Sequence, residues 1–146
     1  MPDVTEVNVT VSAEGPERLE ALRELAEALA RVDGYAEIWV DHDPFPALCA
    51  LVNGAQSWSM VLRYDGDAGF SSRNLSYSGD ANAKLEYYLS NGQRDLYPAA
   101  WAYPTPRMLE AVAFFAEHGR VPDWIEWSND SGDGAVSPNT PWKEPA

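Results

Sequence analysis

The chain has 146 residues, with 23 Asp and Glu against 10 Lys and Arg, and its formal net charge is −13. Nucleic-acid binding through phosphate neutralisation needs a surplus of Lys and Arg, so this charge excludes that class of function. Hydrophobic residues make up 45% of the chain, which is enough to build the core of a single folded domain.

Cysteine content and the N-terminal sequence indicate where the protein works. Cys49 is the single cysteine, which excludes an intramolecular disulfide and a cysteine-based zinc site. Its apolar neighbours predict burial in a strand. The first residues lack a basic segment followed by an apolar run, and no stretch approaches the roughly 18 apolar residues of a membrane-spanning helix. We therefore expect a cytoplasmic protein without membrane contact.

The N-terminal third predicts a strand, a helix and two further strands. Val7, Val9 and Val11 alternate with polar residues, the period of a half-buried strand. Pro16 suits the first turn of a helix over residues 16–31, and Gly34 suits the stop beyond it. Residues 35–40 and 48–52 then predict two more strands.

The helix over residues 16–31 is predicted to be amphipathic. Apolar residues recur at spacings of three and four and define the face that packs on the core. The other face is acidic, and we interpret it mainly as a solvated surface. The apolar residues are Leu19, Leu22, Leu25, Ala26 and Leu29, and the acidic ones are Glu14, Glu17, Glu20, Glu24 and Glu27.

The middle of the chain predicts a series of hairpins. Segments at residues 57–64, 69–74, 84–90 and 94–97 are predicted as strands. The turn dipeptide Asn53-Gly54 precedes the first of them, Asp65-Gly66 separates the first from the second, and Asn91-Gly92 separates the third from the fourth. Such dipeptides supply the positive backbone angles of tight hairpin turns. The pattern therefore favours an antiparallel meander over parallel crossover units.

The C-terminal part predicts a second helix, a last strand and a tail. Thr105-Pro106 opens an apolar stripe of helical spacing that ends at Gly119. Residues 124–127 follow as a strand, and residues 128–146 are polar and rich in Gly and Pro, which is typical of a mobile tail. Trp142, alone in that tail, could dock on the domain. We therefore expect one α+β domain over residues 1–127, an antiparallel sheet with two main helices, and a tail over residues 128–146.

A search for catalytic chemistry finds no reaction centre. His42 and His118 are the two histidines, and His118 lies where a helix dipole favours a cationic ring. Asp41-His42-Asp43 is a weak metal candidate because adjacent residues seldom point at one ion. The motifs of phosphate loops, hydrolase elbows and zinc-hydrolase helices are absent. We therefore predict no catalytic residue, no bound metal and no cofactor.

The segment from Ala50 to Trp127 contains a set of strand-and-turn patterns, none of which is a catalytic signature. They are LRYDGDAGFSSRN at 62–74, Tyr87, LSNGQ at 89–93, YPA at 97–99, the helix that ends at Gly119, and PDWIEW at 122–127. By these patterns the segment resembles immunity protein family 1 of bacterial polymorphic toxin systems.

This resemblance implies a function and a partner. Members of the family are often encoded beside toxins of the nucleic-acid deaminase superfamily, so it implies a non-enzymatic inhibitor that binds one such toxin, one to one. An acidic inhibitor can occupy the basic surface with which the toxin attracts nucleic acid. We predict the contact from acidic groups near aromatic residues in loops: Asp65, Asp67, Phe70, Arg73, Asp95, Tyr97, Trp124, Glu126 and Trp127.

Two alternatives stay open from the sequence alone. One is an immunity protein against a toxin of another class, or a binder of a different basic partner. The other is a small enzyme that uses carboxylates, because no single pair among 23 acidic residues stands out or can be dismissed by sequence. A deaminase signature in the neighbouring gene, H-x-E with P-C-x-x-C, would favour the first reading.

Overall fold

A computed structural model describes residues 2–141 of the chain. It contains two helices, nine strands and one short 3₁₀ turn. In chain order these are β1 (Val4–Thr10), α1 (Pro16–Leu29), β2 (Tyr35–Asp41), β3 (Ala47–Asn53), β4 (Gln56–Leu62), β5 (Phe70–Arg73), β6 (Lys84–Tyr88), β7 (Arg94–Pro98), the 3₁₀ turn Ala99–Trp101, β8 (Tyr103–Pro104), α2 (Thr105–His118) and β9 (Glu126–Asn129).

The main sheet has seven strands and is mixed rather than purely antiparallel. Its order is β1-β2-β3-β4-β5-β9, and β8 pairs with a second part of β4. The expected meander is wrong at β1, which pairs with β2 in parallel. Helix α1 causes this, because a helix between two strands returns the chain to the end of the sheet where it started. The α+β class with two helices is confirmed.

The β6–β7 hairpin forms a separate two-stranded sheet. It does not extend the main sheet as a meander would. It lies over β2 and β3, on the face opposite the helices. The protein therefore has three layers, with the main sheet between the two helices and the hairpin.

The larger hydrophobic core lies between the main sheet and the helices. The residues that α1 buries in it differ from those of the predicted apolar stripe. Ala21, Leu25 and Leu29 are buried at helical spacing, whereas Leu19 is 71% exposed. Leu19 precedes Ala21 by two residues, which is about 200° around a helix of 3.6 residues per turn. Its position on the solvent side corrects the predicted stripe, in which Ala26 is also exposed.

The second core lies between the main sheet and the hairpin. Cys49 and Trp58 project from the sheet and meet Tyr87, which is completely buried on β6. The burial predicted for Cys49 is confirmed, and it raises the pKa of the thiol well above its usual value. Because a thiolate is the reactive form, this cysteine is chemically inert at neutral pH.

Glu37 joins the hairpin to the main sheet. Its Oε1 accepts hydrogen bonds from the backbone N–H and the hydroxyl of Ser90, both at 2.9 Å, and its Oε2 accepts one from the Trp39 indole at 2.9 Å. Burial opposes the charged form of Glu37, but these hydrogen bonds outweigh it and lower the pKa of the carboxyl. The hairpin is therefore held in place by a buried, ionised carboxylate.

This arrangement predicts a loss of stability in acid. The pKa of Glu37 is lower in the folded chain than the value of about 4.3 that Glu has when unfolded. Its contribution is therefore fully present above about pH 4.3 and falls as the pH drops through the folded value. We expect urea denaturation between pH 7 and pH 3 to show a steeper fall for the wild type than for Glu37→Gln. Equal slopes would contradict the assignment.

The end of the described chain is tied to the domain at several points. Strand β9 extends to Asn129, two residues past the predicted domain boundary. The Asn139 side chain hydrogen-bonds both backbone groups of Val121, at 2.8 and 3.0 Å. The mobility of the tail stays a prediction, and Trp142 lies outside the described residues. Within residues 2–141, neither helix is long and apolar enough to cross a membrane.

Candidate protein-binding surface

The pairing of β5 with β9 brings together three of the residues predicted from the sequence. Arg73 lies directly opposite Glu126, and Ser72 lies opposite Trp127. Residues opposite each other in an antiparallel pair point to the same face of the sheet. Arg73 and Glu126 therefore share the hairpin side, while Trp127 packs against the core of the helix layer.

Arg73 lies flat on an aromatic ring. Its guanidinium carbon is 3.5 Å from the centroid of the Trp101 ring. Its Nη1 donates to the Ser71 hydroxyl at 3.0 Å and to the Ser72 carbonyl at 2.9 Å. Burial lowers the pKa of Arg73, and the charge of nearby Asp130 opposes this shift. The side chain is thus a cation held in a fixed position and partly removed from water.

Trp124 forms a second stacked pair beside the first. The Arg107 guanidinium is 4.0 Å from the Trp124 ring centroid, and the Tyr103 ring meets Trp124 edge-on at 5.7 Å. Arg107 also pairs with Glu110 at 2.8 Å. An open cleft of about 470 Å³ lies against these rings, and its lining is Asn74, Ser76, Tyr103, Pro104, Arg107 and Trp124.

Tyr103 links the two stacked pairs. Its hydroxyl donates to the Arg73 carbonyl at 2.6 Å and accepts from the Glu126 backbone N–H at 3.1 Å. This fixes the strand ends that carry both pairs. We use the name β5–β9 patch for Arg73, Trp101, Trp124, Glu126 and Asp130.

Asp95 and Tyr97 lie on β7, in the hairpin layer. The Tyr97 ring stacks on Trp58 with centroids 4.2 Å apart and planes 10° apart, and it is 6.0 Å from the Trp101 ring. Its hydroxyl donates to Asp95 at 3.2 Å. Burial raises the pKa of Tyr97 to about 12. Tyr97 therefore belongs to the second core and reaches the β5–β9 patch only through Trp101.

The turn before β5 separates the remaining three predicted residues. Asp65 is exposed, whereas Asp67 and Phe70 are buried. Asp67 accepts hydrogen bonds from the backbone N–H groups of Arg63 and Gly69, at 2.9 and 3.0 Å, and from the Arg63 Nε at 3.2 Å. Burial opposes ionisation of Asp67, but these bonds lower its pKa. A partner can reach Asp65 here without any change in the fold.

Three residues beside the predicted set escaped the sequence reasoning. Trp101 lies in an irregular segment without periodicity, so no pattern marked it. Arg107 is exposed in the first turn of α2, and nothing in the spacing of the polar residues distinguishes it from the others on that helix. Asp130 falls in the polar segment predicted as a tail, yet its carboxylate accepts a hydrogen bond from the Ser71 hydroxyl at 2.8 Å. No regular spacing in the sequence marks any of these three residues.

The histidine loop has a structural role. Nε2 of His42 lies 2.8 Å from the carbonyl oxygen of Phe115, which also accepts from the backbone N–H of Gly119. Both contacts lie at the end of α2, where carbonyl groups lack partners within the helix. No group of three or more His, Cys, Asp or Glu within residues 2–141 could hold a metal ion.

Comparison with known proteins identifies the family. No curated protein matches the chain. The sequence model of one family, described as Immunity protein Imm1, matches residues 8–129. The match contains both helices and the whole region of resemblance at residues 50–127, and it ends one residue before Asp130. The chain belongs to the Imm1 family of immunity proteins.

Proposed function

We propose that the chain binds one cognate toxin domain in the cytoplasm and neutralises it by direct protein contact, without catalysis. We further propose that this toxin is a zinc-dependent nucleic-acid cytidine deaminase. Membership of the Imm1 family is the observation that carries the proposal, because an immunity protein implies a toxin partner. The net charge of −13 supports a partner with a basic surface.

The physical requirements of such a toxin fit an acidic inhibitor. A nucleic-acid deaminase must attract a polyanion and draw a base into its zinc pocket. A protein with excess carboxylates competes for the same basic surface, and the opposite potentials speed the encounter of the two proteins. Covering that surface excludes the substrate without any chemical step.

The β5–β9 patch, together with Asp65 in the turn before β5 and Asp95 on β7, is our candidate for the contact. Tight interfaces combine aromatic and Arg anchors with a polar rim. Trp101 and Trp124 are half-buried here and each carries a stacked guanidinium. Glu126 and Asp130 are exposed next to them. Asp67 and Phe70 are buried, so we assign them to the support of this surface.

Co-expression with the toxin encoded beside the gene tests the function directly. We expect cells to survive with both proteins and to die with the toxin alone, and we expect a one-to-one complex by size-exclusion chromatography with light scattering. The purified complex should show no deaminase activity on single-stranded DNA and RNA. A neighbouring toxin with nuclease activity instead would retain the immunity function and overturn the deaminase assignment.

Charge reversal at the patch is expected to slow toxin association. The triple variant Asp65→Lys, Asp95→Lys and Glu126→Lys should reduce the association rate constant at low salt by about tenfold or more, because local charge steers the encounter. The control reverses Glu14, Glu24 and Asp33, three exposed acids around α1. It changes the net charge by the same amount.

Stopped-flow mixing at several salt concentrations measures both variants. The association rate constant of the control variant should fall clearly less than that of the patch variant. The difference between the two rate constants should disappear at high salt as screening increases. Equal losses in the two variants would show that only net charge matters and would contradict this location.

A further inference from the structure

We propose that Arg73 is the receiving site for a carboxylate of the toxin, an Asp or Glu side chain that binds the guanidinium on the Trp101 ring. This inference rests on the proposed function and deepens it. The β5–β9 patch would then contain one cationic position in an acidic surface, and the partner would supply the matching anion.

The unused donors of Arg73 carry the first step. A guanidinium has five N–H donors in a planar fork. The two hydrogen bonds that the structure shows for Arg73 both come from Nη1. Nε and Nη2 make none within residues 2–141, and they form the edge of the group that takes a carboxylate through two parallel hydrogen bonds.

The absence of an ion pair carries the second step. No carboxylate oxygen of the described chain lies within 4.0 Å of the Arg73 guanidinium, although Glu126 is directly across the strand pair and Asp130 is linked through Ser71. Arg107 has the same stacked arrangement on Trp124, but Glu110 neutralises it at 2.8 Å. Arg73 is thus half-buried and makes no direct ion pair within residues 2–141, although the negative charge of Asp130 lies nearby.

Preorganisation makes this position suited to binding. Trp101 fixes the plane of the guanidinium, and Ser71 and Ser72 fix one of its ends. An incoming carboxylate therefore does not have to order a flexible side chain, which is a main cost of forming an ion pair. Partial burial also strengthens the pair, because fewer water molecules screen it.

The surrounding charge indicates what kind of anion can reach Arg73. Glu126 and Asp130 are exposed beside it, and the whole chain carries −13. A free anion or a nucleic acid is repelled by this field. A carboxylate on a protein whose remaining surface is basic is carried in by the attraction of its neighbours. The geometry therefore favours an Asp or Glu within a basic toxin surface.

Such a contact supplies specificity. Acidic residues alone attract any basic surface, whereas a fixed cation penalises a partner that places Lys, Arg or an apolar group opposite it. Discrimination of this kind, by a repulsive or unpaired charge, is a general way to reject wrong partners. Arg73 would thus select the cognate toxin among other basic proteins.

The test uses the full chain and the purified toxin domain encoded beside its gene. Affinity is measured by titration calorimetry for the wild type, Arg73→Gln, Arg73→Lys and Arg73→Glu. The matched control is Arg31→Gln, which removes the same charge from an exposed residue after α1. We expect Arg73→Gln to weaken binding by about 30-fold or more, because truncating one partner of a desolvated pair costs at least 2 kcal/mol.

A charge swap identifies the partner group. Each Asp and Glu of the toxin is changed to Arg, and each variant is titrated with wild type and with Arg73→Glu. We expect one toxin variant to bind the wild type more weakly than the unmodified toxin does. The same toxin variant should bind Arg73→Glu at least tenfold more tightly than it binds the wild type. Arg73→Lys should retain part of the affinity, because it keeps the charge but loses the fork.

The outcomes separate the two proposals. If wild type forms no complex with the toxin, the proposed function is overturned and the carboxylate site with it. If wild type binds and Arg73→Gln binds as tightly as Arg31→Gln, the function stands and the site is overturned. If Arg73→Gln weakens binding but no toxin variant rescues Arg73→Glu, Arg73 only supports the local structure, and the proposal is equally overturned. Thermal unfolding of every variant confirms that folded proteins are compared.

Discussion

Replacing Asp67 with Ala is expected to destabilise the fold by about 3 kcal/mol, since removal of one partner leaves the other as a poorly compensated buried charge. The side chains of Arg63 and Asp67 are only 4% and 0% exposed. Arg63 retains Asp133 at 2.6 Å in the variant, so the expected loss lies at the low end for buried pairs. The backbone N–H groups of Arg63 and Gly69 also lose their acceptor.

Urea denaturation at pH 7 measures this effect, and the same turn supplies its control. Asp65 is exposed two residues earlier and takes part in none of these bonds, so Asp65→Ala should change the free energy of unfolding by no more than about 0.5 kcal/mol. At concentrations where both variants are folded, Asp67→Ala should bind the toxin nearly as well as wild type. Full stability combined with lost binding would instead return Asp67 to the contact surface.

The Asp65–Asp67 turn shows where sequence reasoning about the site stops. Asp65 and Asp67, separated by one glycine, cannot be distinguished by sequence, and the sequence predicts that both contact the partner. They differ because Arg63 turns inward beneath the loop, where its guanidinium lies 4.9 Å from the Phe70 ring. The alternation predicted over residues 57–64 includes Arg63, but such a pattern does not show that a charged side chain is buried and paired, and the observed strand β4 ends at Leu62. The roles of the two carboxylates therefore follow from tertiary packing alone.

The fold was easier to predict from the sequence than the site, because hairpins are specified by residues that are close together in the chain. Asn53-Gly54 predicts the turn between β3 and β4, and the structure pairs these strands throughout, starting from Asn53 and Gln56. The parallel pairing of β1 and β2 was missed. Alternation within a strand shows which side chains face the core, but not whether the strand runs parallel or antiparallel to its neighbour. The helix between β1 and β2 was the only feature of the sequence that indicated a parallel pair.

The position of the β6–β7 hairpin over the main sheet could not be predicted from the sequence, for a similar reason. Its alternating residues predict two paired strands, which the structure confirms. Whether such a pair extends a sheet or covers one depends on its contacts, here the hydrogen bonds that Ser90 donates to Glu37 and that the Asn53 amide donates to the Glu86 carbonyl. These contacts span 53 and 33 residues along the chain, so no local pattern encodes them.

Replacing Tyr97 with Ala is the second large effect that we expect, a destabilisation of about 2–4 kcal/mol. Tyr97 stacks on Trp58 at 4.2 Å and lies 6.0 Å from both Tyr87 and Trp101. The variant removes this ring from the second core, and each lost aromatic pair adds to the cost of the cavity. Because the Tyr97 hydroxyl only reaches Asp95 at the hairpin edge, Tyr97→Phe should remain within about 1 kcal/mol of wild type.

Tyr97 also bears on binding through the ring that supports Arg73. If Trp101 shifts when Tyr97 is truncated, Tyr97→Ala weakens toxin binding indirectly. The losses of binding energy caused by Tyr97→Ala and by Arg73→Gln are then not additive. A double-mutant cycle measured by calorimetry on folded protein should then give a coupling energy of about 0.5 kcal/mol or more. Additive losses would show instead that Tyr97 contacts the toxin itself, as the sequence suggested. Unchanged unfolding of Tyr97→Ala in urea would contradict its place in the core.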